Sequence, residues 1–379
     1  LAQTFVALVD GDPAQASDYA RQAAERLEYD NSQWRLMALW SLAEAQERSE
    51  QLPHAIASLR EAAQVSRAVG KPLFIPIVEI ALAHALRLNG QRDEAEALCH
   101  TTLAYYREQK YTTPAQVLML CTLARIAYDA NALDDARAYI EQARATSLSF
   151  DVPSIRGVIG GIEAQILAAE GDLDGALLLV RRVLHNSTQP GPADHTWLSA
   201  LEGDLLLRQG ALDAAEQWAE NSGLHPDQPL HYLHMEQHLV YARLLLAQEE
   251  WKTASAFILR IEAFAEQRGY IRYWMVARLL RVCAARHVRE SGRVNTLLAD
   301  AVLIAERERC VRIFVDDVPE IAPMLPQVRQ QAPAFIDTVL DAMHDARERS
   351  KHNDLLSERE REVLILIAGG LSNSEIAER

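Results

Sequence analysis

Small and large apolar positions recur along this chain in three columns set around a turn residue. The turn falls at Gly11, Glu50, Gly90, Asn131, Gly171, Gly210, Glu249 and Gly292, with successive separations of 39, 40, 41, 40, 39, 39 and 43. A fixed period near forty is the mark of a solenoid. Five positions after each turn stand Ala16, Ala55, Ala95, Ala136, Ala176, Ala215 and Ala254, with Leu297 in the last place. Seven positions before it stand Ala43, Ala83, Ala124, Ala164, Gly203, Ala242 and Ala285. Two positions after it comes a large apolar group at Leu52, Leu133, Leu173, Leu212, Trp251 and Val294.

These columns predict αα-hairpins. The small residue lets the second helix approach the first, the alanine occupies the other side of that contact, and the large group plugs the open end. Gly or Asn at the turn suits the left-handed backbone that ends a helix. Asp93, Asp134, Asp174 and Asp213 suit the start of the next one. Pro72, Pro114, Pro153 and Pro192 fall where new hairpins begin, the helix position at which proline is tolerated. First helices are expected over 32–48, 72–88, 114–130, 153–170, 192–208, 229–248 and 270–290. The columns resemble the tetratricopeptide repeat, with a longer period and few of its signature Trp and Tyr residues. The expected fold is therefore all-α, with about eight TPR-like hairpins wound into a right-handed superhelix. Such stacks bury a continuous core between neighbours and leave an inner groove lined by the first helices.

Composition fits this picture. The chain has 379 residues, 49% of them hydrophobic, which is enough for a long core. No apolar run reaches the length of a membrane span, and the residues from Leu1 onward lack the cationic flank of a signal peptide. Cys99, Cys121, Cys283 and Cys310 lie far apart, which argues for reduced thiols and a cytoplasmic location rather than zinc or disulfides. The formal net charge of -15 opposes binding of the body to a phosphate backbone. The prolines at 319, 323, 326 and 333 break the period, a helix is expected from about Phe335 to Arg347, and the polar run 348–354 has the composition of a linker.

The last residues carry a different signal. Ser357 and Ser372 each precede a Glu three positions on, Glu360 and Glu375, the pattern of a helix capping box. Gly369 and Gly370 allow a reversal between two short helices. With Arg359, Glu362, Val363, Leu364, Leu371, Asn373, Ile376 and Ala377, this stretch resembles the opening of the LuxR-type DNA-binding domain. The third, base-reading helix of that domain would follow Arg379, so no DNA-reading residue is assigned here. A hairpin solenoid joined to such a tail resembles the MalT-like class of LuxR regulators, where a helical superhelix senses an inducer. The stretch Val311-Arg312-Ile313-Phe314-Val315-Asp316-Asp317 resembles an Arg-x-Phe-x-Asp motif that closes the superhelix. The resemblance divides the chain into a sensor superhelix over 1–318, a proline-containing helical segment and linker over 319–354, and a truncated helix-turn-helix over 355–379. It implies DNA contact only through a complete C-terminal domain, and self-association of the full-length protein.

The position six before each turn is polar throughout: Glu44, His84, Arg125, Gln165, Asp204, Arg243 and Arg286. The repeat geometry turns this column toward the groove, along with Trp40, Arg87, Tyr128 and Trp197 on neighbouring turns. Arginines, carboxylates and aromatic rings there suit a polar inducer such as a sugar, an anion or a short peptide. A solvated helix face would read the same way. His231, His234 and His238 share helical spacing, but no cysteine or carboxylate completes a metal set, and no metal or cofactor is expected. Gly157, Gly160 and Gly161 in one helix point to close packing. No nucleophile elbow, zinc-protease motif or phosphate loop occurs, so the chain is not expected to be an enzyme. Two roles stand: an effector-sensing piece of a transcription regulator, with a small polar inducer in the groove, or a scaffold regulated by a partner protein or peptide. A compact pocket of converging polar groups would favour the first, and a long open channel the second.

Overall fold

The computed structural model describes residues 1–27, 32–69, 75–150, 152–186, 192–287 and 291–354. The candidate helix-turn-helix at 355–379 and the helix start at Pro72 lie outside them. Among the described residues the chain is helical without strands, and it builds eight successive antiparallel hairpins. They are α1 (Ala2–Val9) with α2 (Pro13–Arg26), α3 (Ser32–Arg48) with α4 (Leu52–Val69), α5 (Ile75–Leu88) with α6 (Arg92–Gln109), and α7 (Pro114–Asp129) with α8 (Leu133–Ser147). There follow α9 (Pro153–Ala169) with α10 (Leu173–Asn186), α11 (Pro192–Arg208) with α12 (Leu212–Asn221), α13 (Met235–Ala247) with α14 (Trp251–Arg268), and α15 (Ile271–Ala285) with α16 (Val294–Glu308). A π-helical turn, Ile313–Asp317, a 3-10 stretch, Pro319–Val328, and α17 (Pro333–Asp354) complete the described chain. The polar run 348–354 continues α17 as helix.

Seven of the eight turns are built alike. Gly11, Glu50, Gly90, Asn131, Gly171, Gly210 and Glu249 all have φ between 58° and 97°, so even the two glutamates take the left-handed conformation. In each, the next residue's N–H returns to a carbonyl five residues back, as in Ala132 to Ala127 at 2.9 Å and Gln51 to Gln46 at 2.8 Å. This is the Schellman closure of a helix end. Gly292 departs from the pattern: it lies in a short 3-10 turn, Ser291–Arg293, and has no positive φ. The aspartates at 93, 134, 174 and 213 sit inside the first turn of their helices, where they complement the helix dipole. Capping of the first N–H groups falls instead to Asp12, which accepts from Gln15 at 2.9 Å, and Asp172, which accepts from Gly175 at 2.9 Å.

The small-residue columns lie at the helix-helix contacts. Ala16, Ala95, Ala136, Ala176, Ala215 and Ala254 are wholly buried, as are Ala83, Ala124, Ala164 and Ala242. At Gly203 a Cβ would lie 2.6 Å from the Trp218 ring, so only glycine lets that ring close the sixth hairpin. First and second helices divide the work. Eleven of the sixteen residues of α7 are buried, whereas α8 buries only Ala136, Ile140 and Ala143, so the first helices form the inner layer and the second helices the outer one. The seventh first helix starts later than its spacing predicts. Residues up to His231 are irregular, a 3-10 turn spans Tyr232–His234, and α13 begins at Met235.

The superhelix meets itself. The Asn89 side-chain amide donates to the Gly269 carbonyl at 2.6 Å, Arg268 pairs with Glu50 at 2.7 Å, and the Arg92 N–H donates to Glu308 at 3.0 Å. A Cβ on Gly90 would stand 2.8 Å from Ile271, and one on Gly269 2.8 Å from Pro53. The largest core accordingly joins buried residues of α2 to α5 with those of α13 to α17, including Ile321, Leu325, Ile336 and Val339 beyond the last hairpin. The inner helices thereby surround a bore. No helix among the described residues is long and apolar enough to cross a membrane.

Candidate functional site

The bore narrows to a cavity of about 70 Å³ walled by side chains of α7, α9, α11, α13 and α15 and roofed by the turn at 312–317. The roof is held on three sides. The Val311 N–H donates to the Asp129 carbonyl at 2.7 Å, Arg312 reaches Asn131 at 3.2 Å, and Arg243 donates to the Asp316 carbonyl at 3.0 Å. Beneath it, the Asp316 carboxylate accepts from Arg312 Nε at 2.9 Å and from the Tyr128 hydroxyl at 2.9 Å, with Arg208 at 3.3 Å. Burial raises the Asp316 pKa, but Arg312 and Arg208, with the hydrogen bonds from Arg312 and Tyr128, outweigh it and leave the group below the usual carboxylate range.

Asp317 points the other way. It is 3.4 Å from Arg243, whose guanidinium is bound more closely by Asp204. Burial, reinforced by Asp204 and Asp316 against the pull of Arg243, pushes the Asp317 pKa up to about 7. Adjacent residues on one turn therefore carry carboxylates with divergent protonation, because one faces two arginines and the other shares its arginine.

A cationic cluster adjoins the cavity beside Asp129. Asp129 is paired with Arg272 at 2.9 Å and with Arg87 at 3.5 Å. Arg125 lies over the Trp197 ring at 4.3 Å, a cation-π contact. That ring fits against α9 because residue 161 is glycine: a Cβ there would lie 2.5 Å from it. His84 faces the bore, where partial loss of solvent and then the nearby charges of Arg87 and Arg125 lower its pKa. Burial and repulsion from Arg125 and Arg272, against the attraction of Asp129, lower Arg87 to about 10.

Of the ten groove candidates, Tyr128, Gln165, Trp197 and Asp204 line this cavity. Arg243 binds Asp204 at its edge, and His84, Arg87 and Arg125 do not line it but cluster behind two residues that do, Asp129 and Trp197. Two lie elsewhere. Glu44 pairs with Arg48 at 2.7 Å on the same helix, and Trp40 packs half-buried against the largest core. The polar column thus winds out of the cavity toward the first hairpins, because each repeat is rotated on its predecessor. The sequence columns missed Asp129, Arg208, Arg272, Arg312, Asp316 and Asp317. Asp129 and Arg208 share a register, two before their turns, and Arg312 and Asp316 show the i, i+4 spacing of a helical ion pair. Arg272 gives no comparable signal.

A second cavity of about 200 Å³ adjoins the first across Arg243 and Asp317. Leu246 and Leu280 contribute its apolar surface, and Trp251 stacks on His287 with ring centroids 3.6 Å apart. The three spaced histidines do not make a metal site. His231 precedes the helix and accepts from the Leu233 N–H, His234 is 2.8 Å from Gln237, and His238 is buried against Phe257. Among the described residues no group of three or more His, Cys, Asp or Glu side chains is placed to hold a metal ion.

A family model described as the MalT-like TPR region matches residues 2–331, from α1 through the 3-10 stretch after the roof turn. No curated protein matches the chain. Among solved structures it is similar to the crystal structure of the P58(IPK) TPR domain at 12% sequence identity, with a TM-score of 0.24, over 92% of this chain and 97% of that one.

Proposed function

This chain belongs to the family of the MalT-like TPR region, and from that premise we propose that it is the effector-sensing superhelix of a LuxR-type transcription regulator. The observation that carries the proposal is the bore cavity, where polar, charged and aromatic side chains from five inner helices converge under one turn. Binding sites of this sort are concave and set polar groups precisely where they can orient a ligand. A molecule seated there would touch the roof turn and several hairpins at once, so it would bind one arrangement of them better than another and shift their populations. Through the full-length protein that shift would govern assembly and DNA binding by the complete C-terminal domain.

The bore also bears on the scaffold alternative. A peptide laid along the groove needs an open channel, and the turn at 312–317 occupies this one. The compact space favours a small molecule over a partner chain.

The test is a thermal-shift screen of the chain against sugars, sugar phosphates, amino acids and small carboxylates, repeated on Arg125→Ala and Trp197→Ala. A ligand that binds the folded state raises its stability by mass action. A hit lost in both variants supports effector sensing in the bore. A panel without hits, followed by capture of a defined peptide along the groove, would replace it with the scaffold role.

A further inference from the structure

The effector-sensing proposal leaves the chemistry of the ligand open, and the charge distribution in the bore narrows it. Around the roof turn every guanidinium has a carboxyl partner: Arg208, Arg243 and Arg312 face Asp204, Asp316 and Asp317. Beside it three guanidinium groups, Arg87, Arg125 and Arg272, meet two carboxylates, Asp129 and Glu236. Asp129 is already shared by Arg87 and Arg272. Arg125 has only the Trp197 ring for its charge, and no carboxylate pairs with it among the described residues.

An arginine held among other arginines, partly out of water, is costly unless an anion joins it. Its planar fork suits a carboxylate or phosphate, which takes two parallel hydrogen bonds from it. The repulsion is felt by its neighbours: Arg125 helps hold His84 neutral and lowers the affinity of Arg87 for its proton. The contact with Trp197, 4.3 Å from its ring centroid, restrains the guanidinium beside the cavity before any ligand arrives.

We infer that the bore takes a small anionic effector, bearing a carboxylate or a phosphate, with Arg125 as its principal partner on the Trp197 platform and Arg87 and His84 beside it. The inference rests on the effector-sensing proposal for this same cavity. Without the anion Asp129 and Glu236 leave one guanidinium charge of the cluster unmatched; with it, that charge is neutralised and the hairpins carrying Arg87 and Arg125, α5 and α7, are drawn to the α11 ring.

The experiment is thermal unfolding of the 379-residue chain during titration with inorganic phosphate, and separately with malonate, each against sodium chloride at matched ionic strength. A saturable rise is expected, about 3 °C at a hundredfold excess over Kd. It should disappear in Arg125→Gln, survive in part in Arg125→Lys, and persist in Arg286→Gln, whose arginine lines the second cavity. Response to phosphate alone or malonate alone identifies which anion the site prefers, and either supports the inference. Should Arg125→Gln fail to fold, the ring-proton resonance of His84, assigned by its loss in His84→Gln, must move with the same midpoint as the thermal titration. Absence of a saturable rise, or an equal rise in Arg125→Gln, overturns the anion inference. If a neutral sugar stabilises the chain while neither anion does, the anion inference falls and effector sensing stands.

Discussion

Arg312 and Asp316 grip one another at the centre of the superhelix, one helical turn apart, with Asp316 also holding the Tyr128 hydroxyl 188 residues away. Neither side chain has water to fall back on: Arg312 is 2% exposed and the Asp316 side chain 11%. Breaking such a pair strands a charge, which costs far more than the pair itself contributes. Asp316→Ala should therefore lose about 3–5 kcal/mol in urea unfolding. Arg312→Met/Asp316→Leu, which removes both charges, should lose less than Asp316→Ala. Equal losses would mean the roof turn is held by its apolar neighbours instead.

Turn chemistry gives a second prediction. Glu50 and Glu249 adopt the same left-handed conformation, with φ of 58° and 61°, which costs an L residue about 1 kcal/mol relative to glycine. Glu50 also holds Arg268 across the seam of the superhelix at 2.7 Å, while Glu249 makes no such link. Glu249→Gly should raise Tm slightly, and Glu50→Gly should lower it. Two substitutions of the same sign would show that the seam contact contributes nothing.

Close packing at the sixth hairpin is next. Because a Cβ on Gly203 would stand 2.6 Å from the rigid Trp218 ring, Gly203→Ala must displace the ring and its 3.1 Å hydrogen bond to Ser199. The helix propensity gained by alanine, about 1 kcal/mol, works against this. Overpacking should still win, with a net loss of about 1–2 kcal/mol by chemical denaturation. A stabilised variant would show that the hairpin can open at no cost.

Stability should depend on pH in two opposed ways. The Asp317 carboxyl, with a pKa of about 7 when folded, ionises near pH 4 in the unfolded chain. Its contribution is fully present below pH 4 and is lost as pH rises toward 7. His238, buried and lowered to about 4 by desolvation and by His234, Arg260 and His231, behaves in the reverse sense. Its contribution is present above pH 6.5 and is lost as pH falls through 4. Measured across pH 4 to 8.5, the Tm advantage of Asp317→Asn over the parent should grow from pH 5 to 8. His238→Gln should flatten the acid limb. A constant difference for Asp317→Asn would show that its pKa is ordinary.

How far the site was legible depends on which residues are considered. Tyr128, Gln165, Trp197 and Asp204 were found because the polar column and the helical turns beside it track the inner face of successive first helices. Glu44 belongs to the same column and Trp40 lies one helical turn from it, yet both stand apart, since rotation from repeat to repeat carries the early hairpins away from the cavity. The roof turn was legible as a motif and illegible as part of the site: its Arg312 and Asp316 spacing predicts a local pair, and nothing nearby indicates that it folds into the bore.

What the sequence by itself determined is the hairpin: its period, the seven left-handed turns among its eight, and the alanine and glycine columns buried between helices. These features depend on hydrogen bonds and contacts that span only a few residues, so their signal is local. Only the tertiary structure decided that Asn89 would meet Gly269, that Arg272 would meet Asp129, and that residues 312–317 would roof the bore. Those meetings depend on the rotation summed over several stacked hairpins, and no short stretch of sequence encodes a sum.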